Sequence, residues 1–281
     1  METTPRSHVV EENFMGKSVD PTVRKLYRTS MECVRRLDQA AKEKRNMQNL
    51  FLPEIAVLRH RLREACEKLL FLNPLEYGRK AEELIWKKCF YAPIQICRVN
   101  KEKLTEENRA WTELLLGSAS GFYHSLLTRL RTELSSDSWP QPTGDERRDD
   151  RLRKDSGEEK EAVRAWTLHT AYRVLLYLGD LARYRMDFAL NNEEDEVDDA
   201  SFSVAQHYYY EALALRPTHG MAHNQLGTLM AGRCCGVDAV YHYLRCLNSE
   251  ETFDGALGNL KQIFSKNQDI YQALQRARSI S

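Results

Sequence analysis

Two stretches late in the chain repeat each other. Ala205-x-x-Tyr208-Tyr209-x-x-Ala212-Leu213 is matched 34 residues on by Ala239-x-x-His242-Tyr243-x-x-Cys246-Leu247. Pro217 follows the first of these helices, and Asn224-x-Leu226-Gly227 lies in the intervening one. Small and aromatic positions recurring at this period describe stacked helical hairpins, each of which buries its apolar face only against its neighbours. Roughly one and a half such units are too few for a free-standing array, so they must pack on the helices that precede them.

Immediately upstream lies Tyr172 to Arg185, reading YRVLLYLGDLARYR. Val174, Leu175, Leu178 and Leu181 fall at helical spacing and make one strongly apolar face. Tyr177, Asp180, Arg183 and Tyr184 lie on or beside the other face. Arg183 and Arg185 are two residues apart and point roughly 200° from one another, so only one faces any given groove. Two readings are open at this point: a core helix with a solvated polar edge, or an anion-binding helix inside a groove.

The remaining sequence is helical throughout. Residues 1–19 read as a flexible arm. Asp20-Pro21-Thr22 opens a helix with a capping carboxylate and a proline at the first helical position, running to about Gln48. Pro53 opens a second helix, and Asn73-Pro74 opens a third that Pro93 should kink. A fourth, from about Glu106 to Leu134, carries the small-residue run Gly117-Ser118-Ala119-Ser120-Gly121. Residues 135–160 are rich in proline, glycine and charge and read as a disordered insert, and 191–199 as an acidic loop. Two final helices are expected, from about Thr252 to Ser265 and Gln268 to Ser279. With no strand alternation anywhere, the fold class is all-α.

Composition narrows the functional classes. The 41 basic and 41 acidic residues leave no global field for nucleic acid or an anionic membrane. No apolar run approaches the length of a membrane span. The seven cysteines are odd in number and sit mostly at apolar helical positions, Cys66, Cys89 and Cys97 among them. They read as reduced core thiols, as in a cytosolic or nuclear protein, rather than as a disulfide framework.

No catalytic constellation is present. His219 and His223 are four residues apart with Cys234-Cys235 nearby, but no further ligand is spaced to complete a metal shell. Asp145, Asp149 and Asp150 lie in the insert, and Glu193 to Asp199 in the acidic loop. Both are solvated charge runs, not diphosphate sites. Nucleophile elbows and phosphate-cradling glycine loops are absent, and no cofactor is expected. What remains is anion recognition. Lys87, Tyr91 and Arg98 fall on one helical stripe by α-helical spacing. Packed antiparallel to the Tyr172–Arg185 helix, that stripe brings Lys87, Arg98, Arg183 and Tyr184 together, and guanidinium forks with a phenol suit a phosphoryl group.

These residues resemble a known family. Leu178-Gly179-Asp180-Leu181-Ala182-Arg183-Tyr184-Arg185, Asn224-Gln225-Leu226-Gly227 and Tyr241-x-Tyr243-x-Arg245 are similar to the SMG adaptors of nonsense-mediated mRNA decay, relatives of the telomerase-associated Est proteins. Pro74-Leu75-Glu76-Tyr77-Gly78-Arg79-Lys80 through Lys88 is most like the fifth-type branch. The resemblance covers about Asp20 to Phe264, apart from the insert. It implies a 14-3-3-like antiparallel helical array running into tetratricopeptide-like hairpins.

By the same resemblance, Arg183 and Tyr184 correspond to a phosphate-binding pair and Arg98 to an arginine of the third helix. Asn224 and Asn259 correspond to asparagines that hold peptide backbone. Tyr91 stands where 14-3-3 proteins have a groove lysine, and Lys87, one turn earlier, is the candidate replacement. The implied ligand is a phosphorylated serine or threonine segment of the UPF RNA helicase. A seventh-type SMG protein is the implied dimer partner, through Gly121, Phe122 and Tyr123. A protein phosphatase and telomerase or telomere factors are further implied partners. The implied setting is a non-enzymatic adaptor in the cytoplasm that shuttles to the nucleus, without the C-terminal nuclease-like fold of longer members. The alternative is a dimerising scaffold whose groove is silent to phosphate.

Overall fold

A computed structural model describes residues 20–43, 50–135, 150–188, 196–232 and 236–278. The expected N-terminal arm lies outside these residues. Every regular element among them is helical, and the chain divides into two compact units, Met1–Cys89 and Phe90–Ser281.

In the first unit, α1 (Pro21–Glu43) packs along α2 (Pro53–Leu72). Asp20 Oδ1 accepts from the Thr22 amide at 2.7 Å, the cap that the Asp-Pro pair predicts. Leu62, Ala65, Cys66, Leu69 and Leu70 of α2 are buried with Cys33 and Val34 of α1. Asn73 caps the next segment, its side chain accepting from the Glu76 amide at 3.1 Å and donating to the Glu76 carboxylate at 3.0 Å. That segment is not a plain α-helix. A π-helical turn (Pro74–Gly78) leads into α3 (Arg79–Leu84), and a second π-helical stretch follows (Ile85–Tyr91).

The second unit begins inside that π-helical stretch and continues with α4 (Ala92–Val99). Pro93, expected to kink a long α-helix, sits in the first turn of α4, directly after the π-helical stretch. The wider π turns before it account for the irregularity. Then come α5 (Glu106–Ser135) and α6 (Asp150–Phe188). The expected insert is therefore too long as drawn, because residues 150–160 belong to α6, and 136–149 lie outside the described residues. The charges in 150–160 mislead because a helix can carry them as well as a loop can.

The hairpins follow as α7 (Glu196–Leu215), α8 (Gly220–Met230) and α9 (Val237–Leu247), closed by α10 (Gly255–Arg278). Helix α7 takes up 196–199 of the expected acidic loop, and 191–195 lie outside the described residues. The two expected final helices are one, since Ser265-Lys266-Asn267 contains neither proline nor glycine to end a helix.

Contacts fix the directions. Tyr123 of α5 meets Tyr177 of α6 at 5.3 Å between ring centroids, and Gly117 lies near Arg185, so α5 and α6 are antiparallel. Val174, Leu175, Leu178 and Leu181 of α6 are all buried, each worth about 1.5–3 kcal/mol. The repeat then becomes visible in packing. Ala205, Tyr209, Ala212, Ala239, Tyr243 and Cys246 are all buried. A Cβ added to Gly179 would lie 2.3 Å from the Tyr209 ring, and one added to Gly227 would lie 2.6 Å from the Tyr243 ring. Each tyrosine thus wedges into a glycine notch on the facing helix, once in each unit of the period.

Candidate functional site

The polar edge of α6 is not solvated. Burial of α6 against α7 and α8 leaves the side chains of Asp180 and Arg183 only 10% and 15% exposed. Buried charges require partners, and these have them. Asp180 Oδ1 accepts from Arg183 at 2.9 Å, from the Tyr209 hydroxyl at 2.8 Å and from Gln225 Nε2 at 2.7 Å. Arg183 Nε also donates to the Tyr209 hydroxyl at 3.3 Å. Burial works against the Arg183 charge, but the Asp180 carboxylate and the Tyr209 and Tyr184 phenols together more than offset it, so the guanidinium pKa lies well above its ordinary value. Arg183 is a permanent cation.

Next to it stands Tyr184. The guanidinium carbons of Arg98 and Arg183 lie 4.4 Å and 4.8 Å from its ring centroid, within cation–π range. Burial, and then the Asp180 carboxylate, push the Tyr184 phenol well above the usual range, so it remains protonated. Arg98 is held by Asp187 at 2.6 Å and by Gln95 at 3.2 Å. On the other side of Asp180, Asn224 Nδ2 donates to Gln225 at 3.4 Å, and Asn259 Nδ2 donates to Asn224 Oδ1 at 3.1 Å. Side chains of α4, α6, α7, α8 and α10 therefore form one connected polar network.

Arg98, Arg183, Tyr184, Asn224 and Asn259 are thus brought together. Tyr91 is 39% exposed, and its phenol acts electrostatically on that of Tyr184. Lys87 falls in the first unit, where Glu83 takes up its ammonium at 3.0 Å. Residues 85–91, which carry Lys87 and Tyr91, are π-helical, with a turn wider than 3.6 residues. Of the expected dimer residues, Gly121 is exposed and a Cβ added there would meet nothing within 4 Å. Tyr123 turns inward instead and is fully buried against Phe90, Phe122 and Tyr177. Phe122 is half-buried.

Tyr209, Gln225 and Asp187 were not visible as site residues from sequence. Two of them stand in recognisable patterns, Tyr209 in the 34-residue repeat and Gln225 beside Asn224. Asp187 carries no local signal. No group of three or more metal-ligating side chains occurs among the described residues.

Two family models match the chain. The one described as telomerase activating protein Est1 covers residues 80–189, and the one described as the Est1 DNA/RNA binding domain covers residues 205–279. Nonsense-mediated mRNA decay factor SMG5 of Mus musculus and that of Homo sapiens are each 37% identical over 278 residues, 94% of this chain. The chain carries both Est1 family domains. Another relative, factor SMG7 of Danio rerio, is 27% identical over 89% of the chain.

The chain spans only 26% of the length of each of those SMG5 relatives. Among solved structures, the crystal structure of Est1 and Cdc13 matches with a TM-score of 0.58 at 13% identity, covering 92% of this chain and 51% of that one. At that identity the likeness shows the fold. The two Est1 models meet the network from both sides, since Arg98, Asp180, Arg183 and Tyr184 lie in one and Tyr209, Asn224, Gln225 and Asn259 in the other.

Proposed function

We propose that this chain is a non-enzymatic adaptor of nonsense-mediated mRNA decay that binds a phosphorylated serine or threonine segment, as on the phosphorylated UPF helicase. The observation that carries this reading is the pair of guanidinium groups over the ring of Tyr184, backed by Asn224 and Asn259. Two forks and a protonated phenol offer a phosphoryl group more donors than its three terminal oxygens need. The asparagines, joined to each other and to Gln225, are side chains suited to hold the peptide backbone beside the phosphate. Binding of a seventh-type SMG partner, a phosphatase or telomere factors follows from the family and belongs to the same proposal.

The test is a titration of a labelled phosphoserine peptide and its unphosphorylated twin against wild type and Arg183→Glu. Phosphate-dependent binding that is lost in Arg183→Glu is the expected result. Equal binding of the two peptides, or unchanged binding by Arg183→Glu, would remove the reading.

A second reading has its own support. Arg98 and Arg183 are already paired with Asp187 and Asp180, so an incoming phosphate must compete with internal carboxylates. If the groove is silent for that reason, the chain acts as a scaffold through the exposed surface at Gly121. Absence of phosphopeptide binding, with dimerisation that Gly121→Arg abolishes, would favour it.

A further inference from the structure

The helices α1 and α2 of the first unit leave an open pocket of about 330 Å³ between them. Arg28, Glu32 and Arg36 reach it from one stripe of α1, four residues apart, with Thr29 and Cys33 on the stripe beside them. Helix α2 supplies Leu58 and, three residues on, Arg61. Leu58 is a half-buried apolar wall, and Cys33 lies buried. Three guanidinium groups thus line the pocket against one carboxylate.

That carboxylate is already engaged. Glu32 accepts from Arg35 Nε at 3.0 Å and Nη2 at 2.9 Å, and from Arg36 Nε at 2.8 Å. Arg36 uses only its Nε in this pairing, so its two terminal nitrogens are left to the pocket. Arg28 and Arg61 make no hydrogen bond or ion pair among the described residues. Their side of the pocket is positive down to the thiol. Burial raises the Cys33 pKa, while the charges of Arg61 and then Arg36 oppose that rise and Glu32 adds to it.

We infer that this pocket is an anion site of the first unit, and that it takes a phosphorylated side chain of a protein segment. Two unengaged guanidinium forks, the terminal nitrogens of Arg36 and the Thr29 hydroxyl give donors enough for the three terminal oxygens of a phosphomonoester. Nearly two negative charges on that one group answer the clustered cations better than a single carboxylate does. Leu58 meets the apolar part of the segment that carries it. Nucleic acid is less suited, because no aromatic side chain lines the pocket to stack a base and the chain has no net positive charge. Arg98 and Arg183 belong to the second unit, and there a phosphate must displace Asp187 and Asp180. At Arg28 and Arg61 it displaces no internal partner.

The test titrates the full chain with inorganic phosphate at constant ionic strength and follows the arginine Nε–H and Thr29 amide signals by NMR. Those of Arg28, Arg61 and Thr29 should shift and saturate. Arg28→Gln and, independently, Arg61→Gln should each weaken the titration by about tenfold or more. Both arginines are exposed and unpaired, so the variants keep the fold. Arg183→Glu should leave the titration unchanged. Shifts that do not saturate, or that neither glutamine variant weakens, would overturn the site. In a second arm, a phosphoserine peptide is compared with its unphosphorylated twin and with a uridine oligonucleotide of equal phosphorus. Saturation of the Arg28 and Arg61 signals at the lowest concentration by the phosphopeptide supports the assignment. An equal response to the unphosphorylated twin overturns it, and earlier saturation by the oligonucleotide overturns it in favour of RNA.

Discussion

Arg98 and Asp187 are 89 residues apart in sequence and 2.6 Å apart in the fold, joining α4 to the end of α6. The carboxylate holds the guanidinium beside Tyr184 and also competes for it. Replacing Asp187 with Asn keeps the shape and removes the competing charge. Phosphopeptide affinity should then rise about threefold to tenfold, measured by fluorescence anisotropy. A fall would mean that Asp187 matters more for orienting Arg98 than for occupying it.

Two glycines should respond to alanine in opposite directions. At Gly227 the new methyl would collide with the Tyr243 ring, an overpacking that should cost about 1–3 kcal/mol in urea denaturation. At Gly121 nothing stands within 4 Å, so alanine should stabilise the exposed helix by up to about 1 kcal/mol. Equal effects at the two positions would contradict the notch.

Removing the Tyr209 hydroxyl separates its two duties. Tyr209→Phe keeps the ring in the Gly179 notch and deletes the bond to Asp180, which retains Arg183 and Gln225. The hydroxyl also accepts from Arg183, and both partners are charged, so the expected loss of stability is about 1.5–3 kcal/mol by chemical denaturation. Tyr209→Ala, which empties the notch as well, should cost about 3–5 kcal/mol.

Acid should destabilise the hairpins through His223 and His242, which are buried and 2.9 Å apart at their Nδ1 atoms. Burial first, then the neighbouring His242 and the charge of Arg245, lower the His223 pKa from 6.5 to about 4. The unfolded chain therefore binds the proton at a higher pH than the folded one. Stability contributed by the neutral histidine is complete above the unfolded value and falls as pH drops from about 6.5 to about 4. Thermal melts across that window should show the decline. His223→Gln should flatten it, and a wild-type melting temperature independent of pH there would contradict the pairing.

How much of this was legible from sequence differs by element. The 34-residue period located the wedges, because a repeated aromatic must be received by something small on the neighbouring helix. The caps at Asp20 and Asn73 were legible because they are local chemistry. Of the network, Arg98, Arg183 and Tyr184 were legible from helical spacing as well as from family motifs, and Asn224 and Asn259 from the motifs alone. Asp187 was not, because its meaning comes only from Arg98, far off in sequence. The stripe through Lys87 rests on α-helical arithmetic, which contains no sign of the π turn found there. Charge misled at 150–160 for a related reason: composition does not distinguish solvated helix from loop.

The Tyr209 ring fills the notch at Gly179 while its hydroxyl completes Asp180, so one side chain answers to two masters. A substitution there is screened once for whether the hairpins hold together and again for what they bind. Selection for a folded protein therefore guards the recognition chemistry even through periods when no ligand is under test. Under the proposed reading, drift in specificity is left to the rim, to positions such as Tyr91 that stand open to water.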